Sequence, residues 1–95
     1  MSEMDNKMEK RKMTVRIAGH EYSIVSTDAP EHVQRVARYV DGRMADLMTA
    51  SRLPANMVAV MTAMNIAEEM LRAQDENVRL RQELMRLKMG ASGRN

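Results

Sequence analysis

His20, His32 and the adjacent pair Glu68-Glu69 are the side chains to weigh first, since a general base, a metal ligand or a carboxylate dyad would be drawn from them. His20 falls in a short interruption between two alternating runs, and His32 falls in the first turn of an expected helix. Neither has a third ligand at a metal spacing, so both read as ordinary surface histidines. Glu68 and Glu69 are consecutive on a helix, where neighbours in sequence do not face one another, so no dyad follows. There is no cysteine, which removes thiol catalysis, disulfides and Cys-ligated zinc and suits a reducing compartment. No glycine-rich phosphate loop and no Gly-x-Ser-x-Gly elbow is present. The pattern points away from an enzyme and implies no metal or other cofactor.

Composition turns the question from chemistry to assembly. Of the 95 residues, 44% are hydrophobic and 29% charged, which excludes a disordered tail and a membrane protein. Twelve methionines stand against two tyrosines, with no Phe and no Trp. A monomeric core of this length normally leans on aromatic rings that bury roughly 150–250 Å² each. The expectation is a core completed by another copy of the chain. No run approaches the ~20 apolar residues of a membrane span, and nothing resembles a signal peptide, so a cytoplasmic protein with no membrane contact is expected. The net charge is +2 and is spread thinly, with Lys10-Arg11-Lys12 and nearby Arg16 as its one cluster. That cluster could touch nucleic acid, but a solvated arm is the plainer reading.

Residues 1–12 lack a hydrophobic period and read as a flexible leader. From Met13, Val15 and Ile17 point one way while Thr14 and Arg16 point the other, the period of a half-buried strand. Ala18-Gly19-His20-Glu21 interrupts it, with Gly19 suited to positive φ, and alternation resumes with Tyr22 and Ile24 inward. This predicts a β-hairpin over 13–25. A helix over 28–49 follows, with Asp28 as N-cap, Pro30 in the first turn and Glu31 behind it. Its apolar stripe is Val33, Val36, Ala37, Val40, Met44, Leu47 and Met48, interrupted only by the helix-weakening Gly42. The hairpin and this helix make a head over 13–53. Between Pro54 and Met89 there is no further Pro or Gly, so one long helix over 54–89 is expected, ended by Gly90 and a polar tail over 90–95. At ~1.5 Å per residue it would be roughly 54 Å long, more than a globule of this size contains. The fold class is therefore α+β, a small hairpin-and-helix head followed by a long coiled-coil helix, in an oligomer.

The long helix reads as a heptad. With Asn77 at position a, the residues Ala63, Ile66, Met70, Ala73, Asn77, Leu80, Leu84 and Leu87 alternate between a and d. A lone Asn at a typically fixes register in parallel two-stranded coils, and Glu76 would face Arg81, and Glu83 Lys88, across a parallel pair. A second stripe of Met57, Val60, Met61, Met64 and Leu71 fades beyond Leu71, giving the first half two sets of neighbours.

The stretch Val58-Ala59-Val60-Met61-Thr62-Ala63-Met64-Asn65-Ile66-Ala67-Glu68-Glu69-Met70 resembles the signature of the ZapA family of cell-division proteins. Val15-Arg16-Ile17-Ala18-Gly19 with Tyr22 and Ile24, and Val36-Ala37-Arg38-Tyr39-Val40-Asp41 with Met44, match it too, so the likeness runs from about 14 to 89. The resemblance implies a bacterial protein that binds the tubulin-like division GTPase FtsZ at midcell and bundles its filaments to stabilise the Z-ring. It implies self-association as a homodimer, with a homotetramer through an extended coiled coil as the larger form. On that reading the head presents Arg16, His20, Glu21, Arg35 and Arg38, exposed by pattern and suited to an acidic filament. Gly19 and Asn65 are structural, Asn65 through an expected buried hydrogen bond to the head backbone. Two alternatives stay open: a ribbon-helix-helix-like DNA-binding dimer, and a coiled-coil scaffold with another partner.

Overall fold

A computed structural model describes residues 9–93 of the chain. Two strands, β1 (Arg11–Ile17) and β2 (His20–Ser26), pair antiparallel in one two-stranded sheet, from Arg11 opposite Ser26 to Ile17 opposite His20. Helix α1 (Pro30–Ala50) and helix α2 (Ala55–Gly93) complete the α+β order, hairpin first and long helix last. At ~1.5 Å per residue α2 is about 58 Å long over its 39 residues. Among the described residues, those up to Thr62 form one compact unit and those from Ala63 onward a second.

The hairpin is tighter than the expected four-residue interruption. Ala18 at φ 55° and Gly19 at φ 81° alone make the connection, the positive pair that a two-residue I′ loop demands. His20 and Glu21 consequently pair inside β2, opposite Ile17 and Arg16. The ladder also starts earlier than Met13, because Arg11 and Lys12 find partners in Ser26 and Val25. Of the leader expected over 1–12, residues 1–8 lie outside the described residues.

Asp28 does not cap α1. The residue before a proline is pushed to extended backbone, and Ala29 (φ −62°, ψ 140°) takes that conformation before Pro30 at the first helical position. The Ala29 carbonyl accepts from His32 N–H at 3.0 Å and Val33 N–H at 3.1 Å, so no side-chain cap is made. At the other end, the Thr49 and Ser51 hydroxyls donate to the Ala45 and Leu47 carbonyls at 2.9 and 2.8 Å. Gly90 does not stop α2. A glycine ends a helix by taking positive φ, and among the described glycines only Gly19 does so, so the helix runs on to Gly93. Residues 94–95 of the expected tail lie outside the described residues.

The core of the first unit gathers Val15, Val33 and Ala37, with Met13, Ile17 and Ile24 packed against them. Met44, Val58 and Thr62 are buried as well, Val58 completely. Of the stripe expected on α1, Val33, Ala37 and Met44 are buried, Val40 and Leu47 half-buried, and Val36 and Met48 exposed. Tyr22 stands on the same face as Val15, its cross-strand partner, yet is half exposed.

Candidate partner-binding surfaces

Two groups of head residues hold the charges expected to meet a partner. At the turn end of the hairpin, Arg16 and Glu21 are cross-strand partners, and their side chains approach to 3.8 Å, both largely exposed. An exposed pair of this kind contributes at most about 1 kcal/mol. His20 lies beside them, its Nδ1 at 3.1 Å from the Ala18 carbonyl and its ring 6.5 Å from the Tyr22 ring. On α1, Arg35 and Arg38 line an open groove with His32, Val36 and Tyr39. No hydrogen bond or ion pair joins the hairpin group to the α1 group among the described residues.

The hairpin is held to α1 by two bonds, one at the turn and one at mid-strand, that hydropathy alone does not reveal. The Ala18 N–H donates to Asp41 Oδ1 at 2.7 Å, and Gln34 Nε2 donates to the Thr14 carbonyl at 2.8 Å. Asp41 continues the buried row Val33, Ala37 and Met44 at helical spacing, and that placement of a carboxylate inside an apolar row is the signal that could have found it. It anchors the turn that positions His20 and Glu21. Gly19 occupies the positive-φ site expected of it. Asn65 is half-buried and forms no side-chain hydrogen bond among the described residues.

On the second unit, the a and d residues of α2 are open to solvent. Met70, Leu80, Leu84 and Leu87 are each between 51% and 62% exposed, and Ala63, Ala73 and Asn77 are exposed too, with only Ile66 half-buried. The flanking glutamates are engaged within the helix. Glu76 accepts from Arg79 at 2.5 and 3.1 Å, Glu83 accepts from Arg86, and Glu68 accepts from Arg72 at 3.1 Å. The Arg79 hydrogen bond, aided by its positive charge, holds the Glu76 carboxyl below the ordinary glutamate range. The second apolar stripe does not fade at Leu71. Met57, Met64, Leu71, Val78 and Met85 recur every seven residues, all exposed, beside the a/d row and distinct from it.

Among the described residues no cluster of His, Cys, Asp or Glu could hold a metal ion, and no helix is long and apolar enough to cross a membrane. A hairpin of two paired strands and a 39-residue second helix also depart from the single strand and short helices of a ribbon-helix-helix protein. A family model described as cell division protein ZapA matches residues 13–91, which takes in most of the hairpin, all of α1 and nearly all of α2. The chain belongs to the ZapA family of cell-division proteins.

A ZapA of Geobacillus kaustophilus is 39% identical over 82 residues, covering 85% of this chain and 90% of that protein. Among solved structures, a ZapA mutant dimer from Geobacillus stearothermophilus aligns with a TM-score of 0.64 at 38% identity, over 80% of this chain and 90% of that one. A conserved protein of unknown role from Pseudomonas aeruginosa PAO1 aligns with a TM-score of 0.60 at 28% identity, over 90% of this chain and 99% of its own. ZapA membership implies a role at the division ring and names no reaction.

Proposed function

We propose that this chain is a non-catalytic crosslinker that binds FtsZ filaments in the cytoplasm, at midcell, and bundles them to stabilise the Z-ring. Membership of a cell-division family supports the choice of partner. The observation that carries the mechanism is the uncovered a/d row of α2. Leucines repeated along one face and left in water are unfavourable by roughly 25 cal/mol per Å², and a second helix removes that surface. The dimeric Geobacillus stearothermophilus relative fits the same reading. The unit is a homodimer with parallel α2 helices meeting through Ala63, Ile66, Met70, Ala73, Asn77, Leu80, Leu84 and Leu87. The second apolar row is where two such dimers would meet as a homotetramer.

Two heads on one assembly turn weak filament contacts into avidity, with no catalytic residue required. Arg16, His20, Glu21, Arg35 and Arg38 form the filament-facing charge. Arg16 is partly neutralised by Glu21, so Arg35 and Arg38 carry more of the attraction. The test is cosedimentation with polymerised FtsZ. Arg35→Glu with Arg38→Glu should leave the oligomer intact and abolish pelleting, because reversed charges add repulsion to lost attraction. Rising salt should weaken wild-type binding progressively. Normal bundling by the double-reversal variant refutes the head assignment, and a wild-type chain that never pellets refutes the partner.

A further inference from the structure

We propose that the groove on α1 between His32, Arg35, Val36, Arg38 and Tyr39 docks a short acidic protein segment whose carboxylates flank one apolar side chain. The proposal rests on the filament reading for the identity of the partner and adds what the contacting segment must carry.

Shape comes first. The depression is shallow and open to solvent, lined by five residues of one helix face, so it suits the side chains of an extended segment lying across it and not an enclosed ligand. Its apolar part is Val36 and Tyr39, 48% and 52% exposed, and neither lies with the buried Val33, Ala37 and Met44. Tyr39 is already held in place: Arg43 Nη1 donates to its Oη at 2.9 Å, and the guanidinium carbon lies 5.7 Å from the ring centre. A preset ring loses little freedom on binding, which is the usual advantage of an aromatic anchor.

Charge then selects the occupant. Arg35 and Arg38 make no ion pair or hydrogen bond among the described residues, whereas Arg72, Arg79 and Arg86 on α2 each bond a glutamate. Two unpaired guanidiniums beside apolar surface fit carboxylates next to an aliphatic or aromatic side chain. A nucleic-acid backbone would ask for a denser row of cations and would leave Val36 without a partner. A second copy docking this groove onto its own counterpart would set Arg35 and Arg38 against identical arginines.

The experiment uses the full chain and a short fluorescein-labelled peptide of glutamates around one central leucine, read by anisotropy and by backbone amide NMR shifts. Amides from His32 to Tyr39 should shift. Val36→Ser should weaken binding roughly fivefold or more, and Arg35→Gln with Arg38→Gln roughly tenfold with a flatter salt dependence. All three positions are exposed, and circular dichroism should confirm an unchanged fold. The proposal is overturned if the peptide does not bind, if replacing its leucine by serine or its glutamates by lysines leaves binding unchanged, or if duplex DNA competes at equal charge. It is also overturned if the α1 amides shift with protein concentration alone, since a second copy then covers the groove. Pelleting with FtsZ separates this proposal from the reading it rests on. Peptide binding without wild-type pelleting removes FtsZ and keeps the groove, whereas equal pelleting by wild type and both variants removes the groove and keeps FtsZ.

Discussion

Asp41→Ala should loosen the hairpin turn more than any substitution of an exposed head charge. In the folded chain Asp41 Oδ1 accepts the Ala18 N–H at 2.7 Å, part-buried, across 23 residues of sequence. A hydrogen bond to a charged group contributes about 1.5–3 kcal/mol net. The residue it holds is itself strained, because Ala18 sits at φ 55°, where a side chain costs roughly 1–2 kcal/mol. Removing the carboxylate leaves a strained turn with an unanchored N–H, and a loss of about 2 kcal/mol follows. For a domain of this size that corresponds to a midpoint lowered by roughly 8–16 °C. Melting must be compared at matched protein concentration, since self-association adds to apparent stability. Asp41→Asn keeps a neutral acceptor and should fall about halfway. Amide hydrogen exchange gives the local readout: the Ala18 amide should be protected in wild type and exposed in Asp41→Ala. An Ala18 amide that exchanges equally fast in both, with a melting loss inside the ~0.5 kcal/mol of ordinary surface changes, would refute the anchor.

Thr62 is 3% exposed and its hydroxyl has no hydrogen-bond partner among the described residues, so Thr62→Val, nearly equal in shape, should raise stability by about 1 kcal/mol in urea melts. A destabilised variant would mean that the hydroxyl is satisfied in the assembled protein. Leu84→Asp should dissolve the oligomer and remove the concentration dependence of the wild-type melting midpoint, read by sedimentation; a wild-type midpoint that ignores concentration, with a monomeric mass, contradicts it. The depressed Glu76 pKa adds stability that is fully present above the ordinary glutamate value and is lost as pH falls through the lower folded value. Helicity of the full chain should therefore decline on acidification, and Glu76→Gln should remove part of that decline in circular dichroism titrations.

Much of the architecture was legible because two periods dominate the chain. Alternation at Val15 and Ile17 gives the hairpin, three-four spacing gives α1, and an unbroken stretch after Pro54 gives α2. The ends were less legible because capping is a contest between local choices. Pro30 forces Ala29 into extended backbone and so displaces Asp28, while Gly90, with no proline after it and good helix formers before it, stays helical. The site was the least legible part. Asp41 stands in the buried row of α1, which marks it as unusual, but its partner, the part-buried N–H of Ala18 in the hairpin turn, lies 23 residues away and hydropathy cannot name it. Val36 reads as core on the helical period, yet it stands in a groove beside Arg35 and Tyr39. The sheet covers only the side of α1 that carries Val33 and Ala37.

The polar and apolar interactions of this chain close at different levels, and that difference is what makes it an assembly protein. Polar groups are mostly satisfied within one copy: the turn by Asp41, the strand carbonyl by Gln34, the end of α1 by Thr49 and Ser51, and Arg72, Arg79 and Arg86 of α2 by neighbouring glutamates. Apolar groups are not, since both heptad rows of α2 remain open. Hydrogen bonds and i,i+3 ion pairs are short-range and can hold the hairpin, α1 and the α2 backbone in place before any partner arrives. The hydrophobic term scales with area, and a head that buries so few residues leaves most of that area on α2. A rod-forming helix prepared by local polar contacts, with its apolar rows still uncovered, is a surface already shaped for another helix. On the proposed crosslinking reading, the energy of that pairing is what would make two heads, and not one, available to a filament.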